Sequence, residues 1–316
     1  MDISLILATH NGAGTLPRTL SALADLDLQG ISVEFLLVDN ASTDDTPRLL
    51  QAFLGTRPGR FLSEPRPGKS NALNAALAQA RGSLIVFTDD DVIPVRGWLL
   101  ELADAARQLP EIVAFAGQIR LVWPTPPSAW LNALEEMGRT LGATPRDRKR
   151  GPVPFSEVKG ANCAVRRSAL AELTGFRTDL GVSSQGPALA GEETAFFKSL
   201  EETGHAVMFI PEAELGHIVR PQQMSLRSLL KRGVRNGRGS AAIDGKPLPP
   251  SRMTIAGIPG YGIRNVTRIG LRGLGKFLFG DKVSGACELL RASEIAGSLL
   301  EYARRRGDRV PGHLKA

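Results

Sequence analysis

The 316-residue sequence predicts an α/β fold with a mostly parallel central sheet and helices on both faces. Three observations carry that prediction. Apolar runs of strand length alternate with segments of helical spacing. The runs are almost continuously apolar, as strands buried on both faces must be. Three of them end in polar residues, at the edge where such sheets hold their ligands. Residues 3–8 are the first run and end in Thr9-His10-Asn11. Residues 15–28 carry apolar side chains at 16, 20, 23 and 26, close to helical periodicity, with Pro17 early enough to be tolerated. Residues 33–38 form a second strand closed by Asp39-Asn40. The opening Thr43-Asp44-Asp45-Thr46-Pro47 of the segment 43–53 reads as a helix cap with proline in the first turn. Residues 69–79 form an alanine-rich third helix, and 83–88 a third strand that runs into Asp89-Asp90-Asp91.

Composition bounds the function. A 33.8 kDa chain with 42% hydrophobic and 22% charged residues is ordinary globular protein, neither disordered nor collagen-like. Two cysteines, Cys163 and Cys287, exclude a disulfide scaffold, and no C-x-x-C pair offers a zinc site. The first residues lack the basic start of a secretory signal, and no stretch reaches the roughly 18 apolar residues of a spanning helix. The expected location is cytoplasmic, with room for peripheral attachment at the inner face of the cell membrane. Residues 1–219 hold 20 Lys+Arg against 26 Asp+Glu, whereas residues 220–316 hold 19 against 6, a net +13. The sequence therefore divides into an expected catalytic domain, 1–220, and a basic helical region, 221–316, which should face something anionic.

Three adjacent carboxylates at a strand end repel one another unless a cation is present, and hard oxygen ligands suit Mg²⁺ or Mn²⁺. A solvated turn is the alternative, and Pro94 is consistent with it. Any one strand-end Asp or Asn also serves as a helix cap. Three such ends together, one of them with three carboxylates, favour a metal and a phosphate ligand.

Several short motifs then occur in a fixed order. They are Val38-Asp39-Asn40-Ala41-Ser42-Thr43-Asp44, Gly68-Lys69-Ser70-Asn71-Ala72-Leu73-Asn74, Asp89-x-Asp91, Gly160-Ala161-Asn162 with Arg166-Arg167, Gly191-Glu192-Glu193-Thr194, His217, and Arg232 with Arg235. In this order the chain resembles an inverting, metal-dependent family 2 glycosyltransferase of the GT-A fold, across about residues 3–238. The resemblance implies that Thr9, Asn11, Asp39, Lys69 and Asp89 line the donor nucleotide. Asp91, Asp89 and His217 would hold Mn²⁺ or Mg²⁺, and Arg232 or Arg235 would meet the diphosphate. Asp90 would be a bystander. Glu193 stands where the family's base deprotonates the acceptor hydroxyl, although the family usually carries Asp there. Glutamate keeps the acid chemistry and adds a methylene. Glu192 and Trp123 fall in the acceptor region; for Trp123, buried packing is the alternative to stacking on a sugar.

Arg264, Arg268, Arg272 and Lys276 recur every four residues, with Ile263, Val266, Ile269, Leu274, Phe277 and Leu278 mainly opposite. That pattern suits an interfacial helix on an anionic membrane surface, or a helix packed on the protein with its basic face in water. Gly270, Gly273 and Gly275 would each weaken it as a free helix by about 1 kcal/mol.

The expected function is transfer of a sugar from a nucleotide-sugar donor, UDP-linked on family frequency, to a carbohydrate or lipid-linked acceptor in polysaccharide or glycolipid assembly. A nucleic-acid-binding protein using the basic region is the competing reading. It leaves the acidic half unexplained, so no nucleic-acid partner is expected. An inactive sugar-nucleotide-binding relative is the other alternative, raised by Glu193. A nicotinamide-dependent enzyme is disfavoured, because Pro17 stands where the third glycine of G-x-G-x-x-G belongs.

Overall fold

The computed structural model describes residues 1–55, 57–172, 175–181, 189–245 and 253–308. Its contacts divide the chain into two compact units. The first comprises Met1–Thr125, Glu135–Gly186 and Glu192–Val219; the second comprises Pro126–Leu134, Pro187–Gly191 and Arg220–Ala316.

The first unit is the α/β body. In chain order its elements are β1 (Ile3–Thr9), α1 (Leu16–Ala24), β2 (Val33–Asp39), α2 (Thr46–Leu54), β3 (Gly59–Ser63), α3 (Lys69–Leu77), β4 (Leu84–Thr88) and β5 (Val92–Pro94). There follow α4 (Trp98–Gln108), β6 (Ala114–Val122), α5 (Ala129–Glu136), which starts in the second unit, β7 (Gly151–Val153), β8 (Cys163–Arg166), α6 (Glu192–Glu202) and β9 (Val207–Ile218). The nine-stranded sheet runs β3-β2-β1-β4-β8-β6-β9-β5, with β7 also paired to β9. β1 to β4 are mutually parallel, as are β6 and β9, whereas β8, β5 and β7 run against their neighbours.

Two-residue periodicity sorts the strand side chains onto two faces. Leu5, Leu7, Phe35, Leu37 and Val86 meet Leu16, Leu20 and Leu23 of α1 and Trp98, Leu99 and Leu102 of α4 in one core. Ile6, Leu36, Val38, Ile85 and Phe87 meet Ala72, Leu73 and Ala76 of α3 and Phe196, Phe197 and Leu200 of α6 in the other. This is the double-sided burial that the continuous apolar runs require.

Local details differ from the expectation. α1 ends at Ala24, because the chain turns away at Asp25 and Asp27, although Leu26 is still buried. The start of α2 is braced by Asp44, which accepts hydrogen bonds from the Thr46 backbone (3.1 Å) and hydroxyl (2.5 Å). β3 has no counterpart in the sequence reading: it is a half-exposed edge strand, without the continuous apolar run of a strand buried on both faces. Its Gly59 permits close pairing, since a Cβ there would stand 2.2 Å from the Phe35 carbonyl oxygen.

The second unit holds three long helices, α7 (Leu226–Asp244), α8 (Gly260–Phe279) and α9 (Lys282–Asp308). Glycines bring them together. A Cβ on Gly237 of α7 would lie 1.8 Å from the Glu294 oxygen of α9, and one on Gly297 of α9 would lie 2.0 Å from the Val234 oxygen of α7. One on Gly285 would lie 2.4 Å from the Phe277 nitrogen of α8. Gly273, which would weaken an isolated helix, is buried here against Glu288 and Leu289 of α9. Glu301, fully buried, is tied to Arg238 (3.3 Å), Arg304 (2.6 Å) and Arg305 (3.1 Å). No described helix is long and apolar enough to cross a membrane.

Candidate active site

The parallel register sets the carboxyl ends of β1, β2 and β4 side by side, with Thr9 opposite Asp39 and Leu7 opposite Thr88. The loops that leave β1 and β2 are laced together. Asn11 and Ala41 both adopt the left-handed backbone (φ 52° and 54°). The Thr43 backbone donates to Asn11 Oδ1 (2.8 Å), the Asn11 backbone to Ser42 (2.9 Å), and the Ala13 backbone to Asp44 (3.1 Å). The side-chain oxygen of Asn11 thus braces a loop. Asp39 is buried and accepts from the Ser42 backbone at 3.3 Å. Its neighbour Asn40 holds the loop before α3, donating to the Glu64 and Arg66 carbonyls (2.9 and 2.8 Å) and accepting from Gly68 (2.8 Å). Gly68, at φ 126°, then delivers Lys69 as the first residue of α3.

The three aspartates fan out to three different partners. Asp89 meets the Lys69 ammonium at 2.6 Å. Asp90 turns inward, where it accepts from the Thr9 hydroxyl, and its backbone carbonyl accepts from Thr19 (2.9 Å). Gly12 leaves the room for this, because a Cβ there would lie 2.2 Å from both Asp90 Oδ2 and Thr9 Oγ1. Asp91 faces His217, Oδ1 to Nε2, at 3.4 Å. The carboxylates therefore coexist by diverging, and the sequence argument that adjacency demands a cation does not apply to all three. Nor is Asp90 a bystander, for it fixes the shape of the triplet. Thr9, expected at the nucleotide, spends its hydroxyl on Asp90.

Strand pairing brings Asp91 and His217 together. β5 begins one residue after the triplet and runs antiparallel to β9, with Val92 opposite His217 and the Ile218 backbone donating to the Asp91 carbonyl at 2.7 Å. The other ring nitrogen, Nδ1, lies 2.8 Å from the carbonyl of Leu141, a buried residue at φ 48°. That carbonyl can only accept, so Nδ1–H donates to it and the ring is held with Nε2 toward Asp91. A carboxylate facing an oriented imidazole suits Mn²⁺ or Mg²⁺. Among the described residues no three His, Cys, Asp or Glu side chains converge into a metal cage, and Asp89, the third expected ligand, is held by Lys69.

The acid pair occupies the first turn of α6, after Gly191 at φ 104°. Glu192 is 8% exposed, and its Oε1 lies 3.8 Å from Lys69 Nζ. Burial, then the charge of Glu193, pushes its carboxyl up to about 7, against the pull of Lys69. Burial also opposes charge on Glu193, but Lys69, the α6 backbone and a hydrogen bond from Glu192 hold it below the ordinary value of 4.5. Of the two, Glu192 is therefore the one that holds a proton more readily, and Glu193 the one that carries the charge. For Lys69, burial is likewise outweighed by Asp89, Glu192 and Glu193, which raise it well above 10.5. The Oε2 atom of Glu193 is buried with no hydrogen-bond partner. Lys69, Glu192, Glu193, Thr88, Gly160 and Cys163 line a cavity of about 10 Å³, enough for one water-sized group.

The remaining expected residues take other roles. The Trp123 indole donates to Glu135 (2.6 Å), which also accepts from the Leu121 backbone (2.8 Å), so its polar edge is clasped at the end of β6. Asn162 is a buried pin: it accepts from Trp98 (2.9 Å) and donates to the Gln118 and Ala213 carbonyls (2.9 and 2.8 Å) beside the β6 bulge. Arg166 donates to the Ile112 and Leu109 carbonyls, at 2.7 and 3.0 Å, beyond the end of α4. Arg232 and Arg235 belong to α7 in the second unit, where the Arg235 Nε is buried without a partner.

The chain's comparisons with known proteins agree with this architecture. The description "Glycosyl transferase family 2" matches residues 4–174. The chain is 37% identical over 109 residues to the succinoglycan biosynthesis protein ExoO of Rhizobium meliloti, covering 33% of this chain and 30% of ExoO. It is 21% identical over 243 residues to the glycosyltransferase AglE of Haloferax volcanii, covering 76% and 73%. Among solved structures, the mannosyltransferase PcManGT from Pyrobaculum calidifontis, in complex with GDP-Man and Mn²⁺, superposes with a TM-score of 0.54 at 22% identity, over 97% of this chain and 79% of that one. With the sheet order, the strand-end aspartates and the family match over more than half its length, the chain belongs to glycosyl transferase family 2, on the GT-A fold.

Proposed function

We propose that this chain is an inverting, metal-dependent glycosyltransferase that moves a sugar from a nucleoside-diphosphate donor, UDP-linked in the first instance, to an acceptor hydroxyl. The observation that carries the reading is Glu193: an ionised carboxylate at a cavity, with one buried oxygen that has no hydrogen-bond partner. That oxygen accepts the acceptor's proton as the hydroxyl oxygen attacks the anomeric carbon, and the bond from that carbon to the diphosphate breaks in line, inverting the centre. Glu192, the member of the pair that holds a proton more readily, hydrogen-bonds Glu193 and keeps the base oriented. Lys69 and Asp39 face the donor's phosphates and its base or ribose. Arg232 and Arg235 are assigned to the diphosphate. Asp91 and His217 would hold Mn²⁺ or Mg²⁺, which when bound offsets the charge of the departing nucleoside diphosphate.

The acceptor is a carbohydrate or a lipid-linked saccharide in polysaccharide or glycolipid assembly, a reading supported by the likeness to ExoO, a succinoglycan biosynthesis protein. The location that suits it is cytoplasmic and peripheral, at the inner face of the membrane. Release of nucleoside diphosphate from a panel of UDP- and GDP-sugars with Mn²⁺ tests the activity. Glu193→Gln should lower kcat by about 10²–10⁴-fold with donor affinity unchanged. Turnover that survives that change would remove Glu193 as the base.

A further inference from the structure

The large apolar side chains left in water are not scattered. Of the eleven exposed ones among the described residues, seven fall between Met253 and Phe279. Four of them, Leu271 (65% exposed), Leu274 (44%), Leu278 (62%) and Phe279 (89%), lie in the last three turns of α8. Leu271, Leu274 and Leu278 are three and four residues apart, so they form one stripe on the helix surface. Their exposure is separate from the packed face of α8, where Ile269 and Gly273 are buried. Arg264, Arg268 and Arg272 are spaced four apart and exposed on the adjoining stripe. Arg272 pairs with Glu288 of α9 at 2.6 Å, whereas no described carboxylate pairs with Arg264 or Arg268. α8 contains four basic residues and no acidic one, within a region of net +13.

We propose that this stripe of α8 is a seat on an anionic lipid bilayer, with the helix lying in the plane of the interface. Leu271, Leu274, Leu278 and Phe279 enter the acyl boundary, and Arg264, Arg268 and Arg272 meet the headgroup phosphates. At 20 residues the helix is about 30 Å long, and an in-plane seat uses all of it without requiring a span. The charge pattern selects a lipid surface over a second copy of the chain. A self-association face would set arginine against arginine across a two-fold axis. The inference deepens the peripheral location proposed above, and rests on that reading. It assigns the contact to particular side chains.

The test is sedimentation of the full chain with vesicles of phosphatidylcholine alone or mixed with phosphatidylglycerol. Binding of donor nucleotide and the melting curve are followed on the same samples. The wild-type chain should partition onto the anionic vesicles only, and less so at high salt. Arg264→Gln and Arg268→Gln should each weaken partitioning about fivefold. Leu274→Glu with Leu278→Glu should weaken it by roughly tenfold or more, since both apolar contacts are lost. A Phe279→Trp reporter should be quenched by brominated lipid in anionic vesicles. Unchanged partitioning in the leucine variant, or an unquenched reporter, would overturn the seat while leaving a peripheral location elsewhere on the basic region. No partitioning of the wild type would overturn both, and normal nucleotide binding in that sample would leave the transferase reading standing. A concentration-dependent dimer abolished by the leucine changes would make a second copy the occupant and refute the proposal.

Discussion

Glu192→Gln removes one ionisation from the pair at the start of α6 and keeps its shape and its ability to donate to Glu193. In the folded protein Glu192 is pushed up to about 7 from an ordinary 4.5, first by burial and then by the neighbouring charge of Glu193. Between those values the native state binds a proton that the unfolded chain releases. The stabilisation is therefore fully present below about pH 4.5 and is lost as the pH rises through about 7. The difference amounts to about 3 kcal/mol. Glu193 has the opposite sign, its contribution being lost as the pH falls, but it is present in both proteins and cancels to first order in the comparison. The stability of Glu192→Gln relative to wild type should accordingly improve by about 3 kcal/mol between about pH 4.5 and about pH 8. Urea denaturation followed by tryptophan fluorescence at a series of pH values measures this. A difference that stays flat, or that shifts against the variant as the pH rises, would refute the reasoning that Glu192 carries the shared proton.

Two further outcomes follow from the packing. Asn162→Ala leaves the Trp98 indole and the Gln118 and Ala213 carbonyls short of a buried partner, and should cost about 3 kcal/mol or more by denaturation, without altering nucleotide affinity in the folded fraction. Gly237→Ala places a methyl 1.8 Å from the Glu294 carbonyl oxygen, so α7 and α9 must separate. A loss of about 2 kcal/mol or more is expected, read as earlier melting; an unchanged melt would mean that the helices cross less closely than described.

The parallel half of the sheet was legible because β1, β2 and β4 are buried on both faces and therefore written as unbroken apolar runs. β3, exposed on one edge, carries no such run and could not be seen. At the site, Glu192, Glu193, Lys69, Asp91 and His217 were named from their motifs, and the structure brings Lys69 to Asp89 and Glu192, and Asp91 to His217. Which aspartate takes which partner was not legible, since it depends on Gly12 admitting Asp90 and on β5 pairing back to β9, contacts between distant segments. Leu141 left no trace in the sequence because it acts through its backbone carbonyl. Asn40 and Asn162 could have been suspected: an asparagine beside a buried strand commonly pays its desolvation by bonding backbone groups. In the basic region, of the three glycines read as helix weakeners only Gly273 is a close contact between α8 and α9, whereas a Cβ on Gly275 would meet nothing within 4 Å; the tightest crossings are made by Gly237, Gly285 and Gly297.

The central claim is that the strand-end carboxylates form a metal-dependent donor site, and melting in the presence of nucleoside diphosphates tests it most directly. With Mn²⁺ or Mg²⁺ present, one diphosphate should stabilise the protein, by about 2.7 kcal/mol at 100 times its Kd, and should fail to do so without the metal or in Asp91→Ala. If no diphosphate stabilises the folded protein, or if the stabilisation is indifferent both to metal and to Asp91, the assignment of this edge of the sheet as a glycosyl donor site is contradicted.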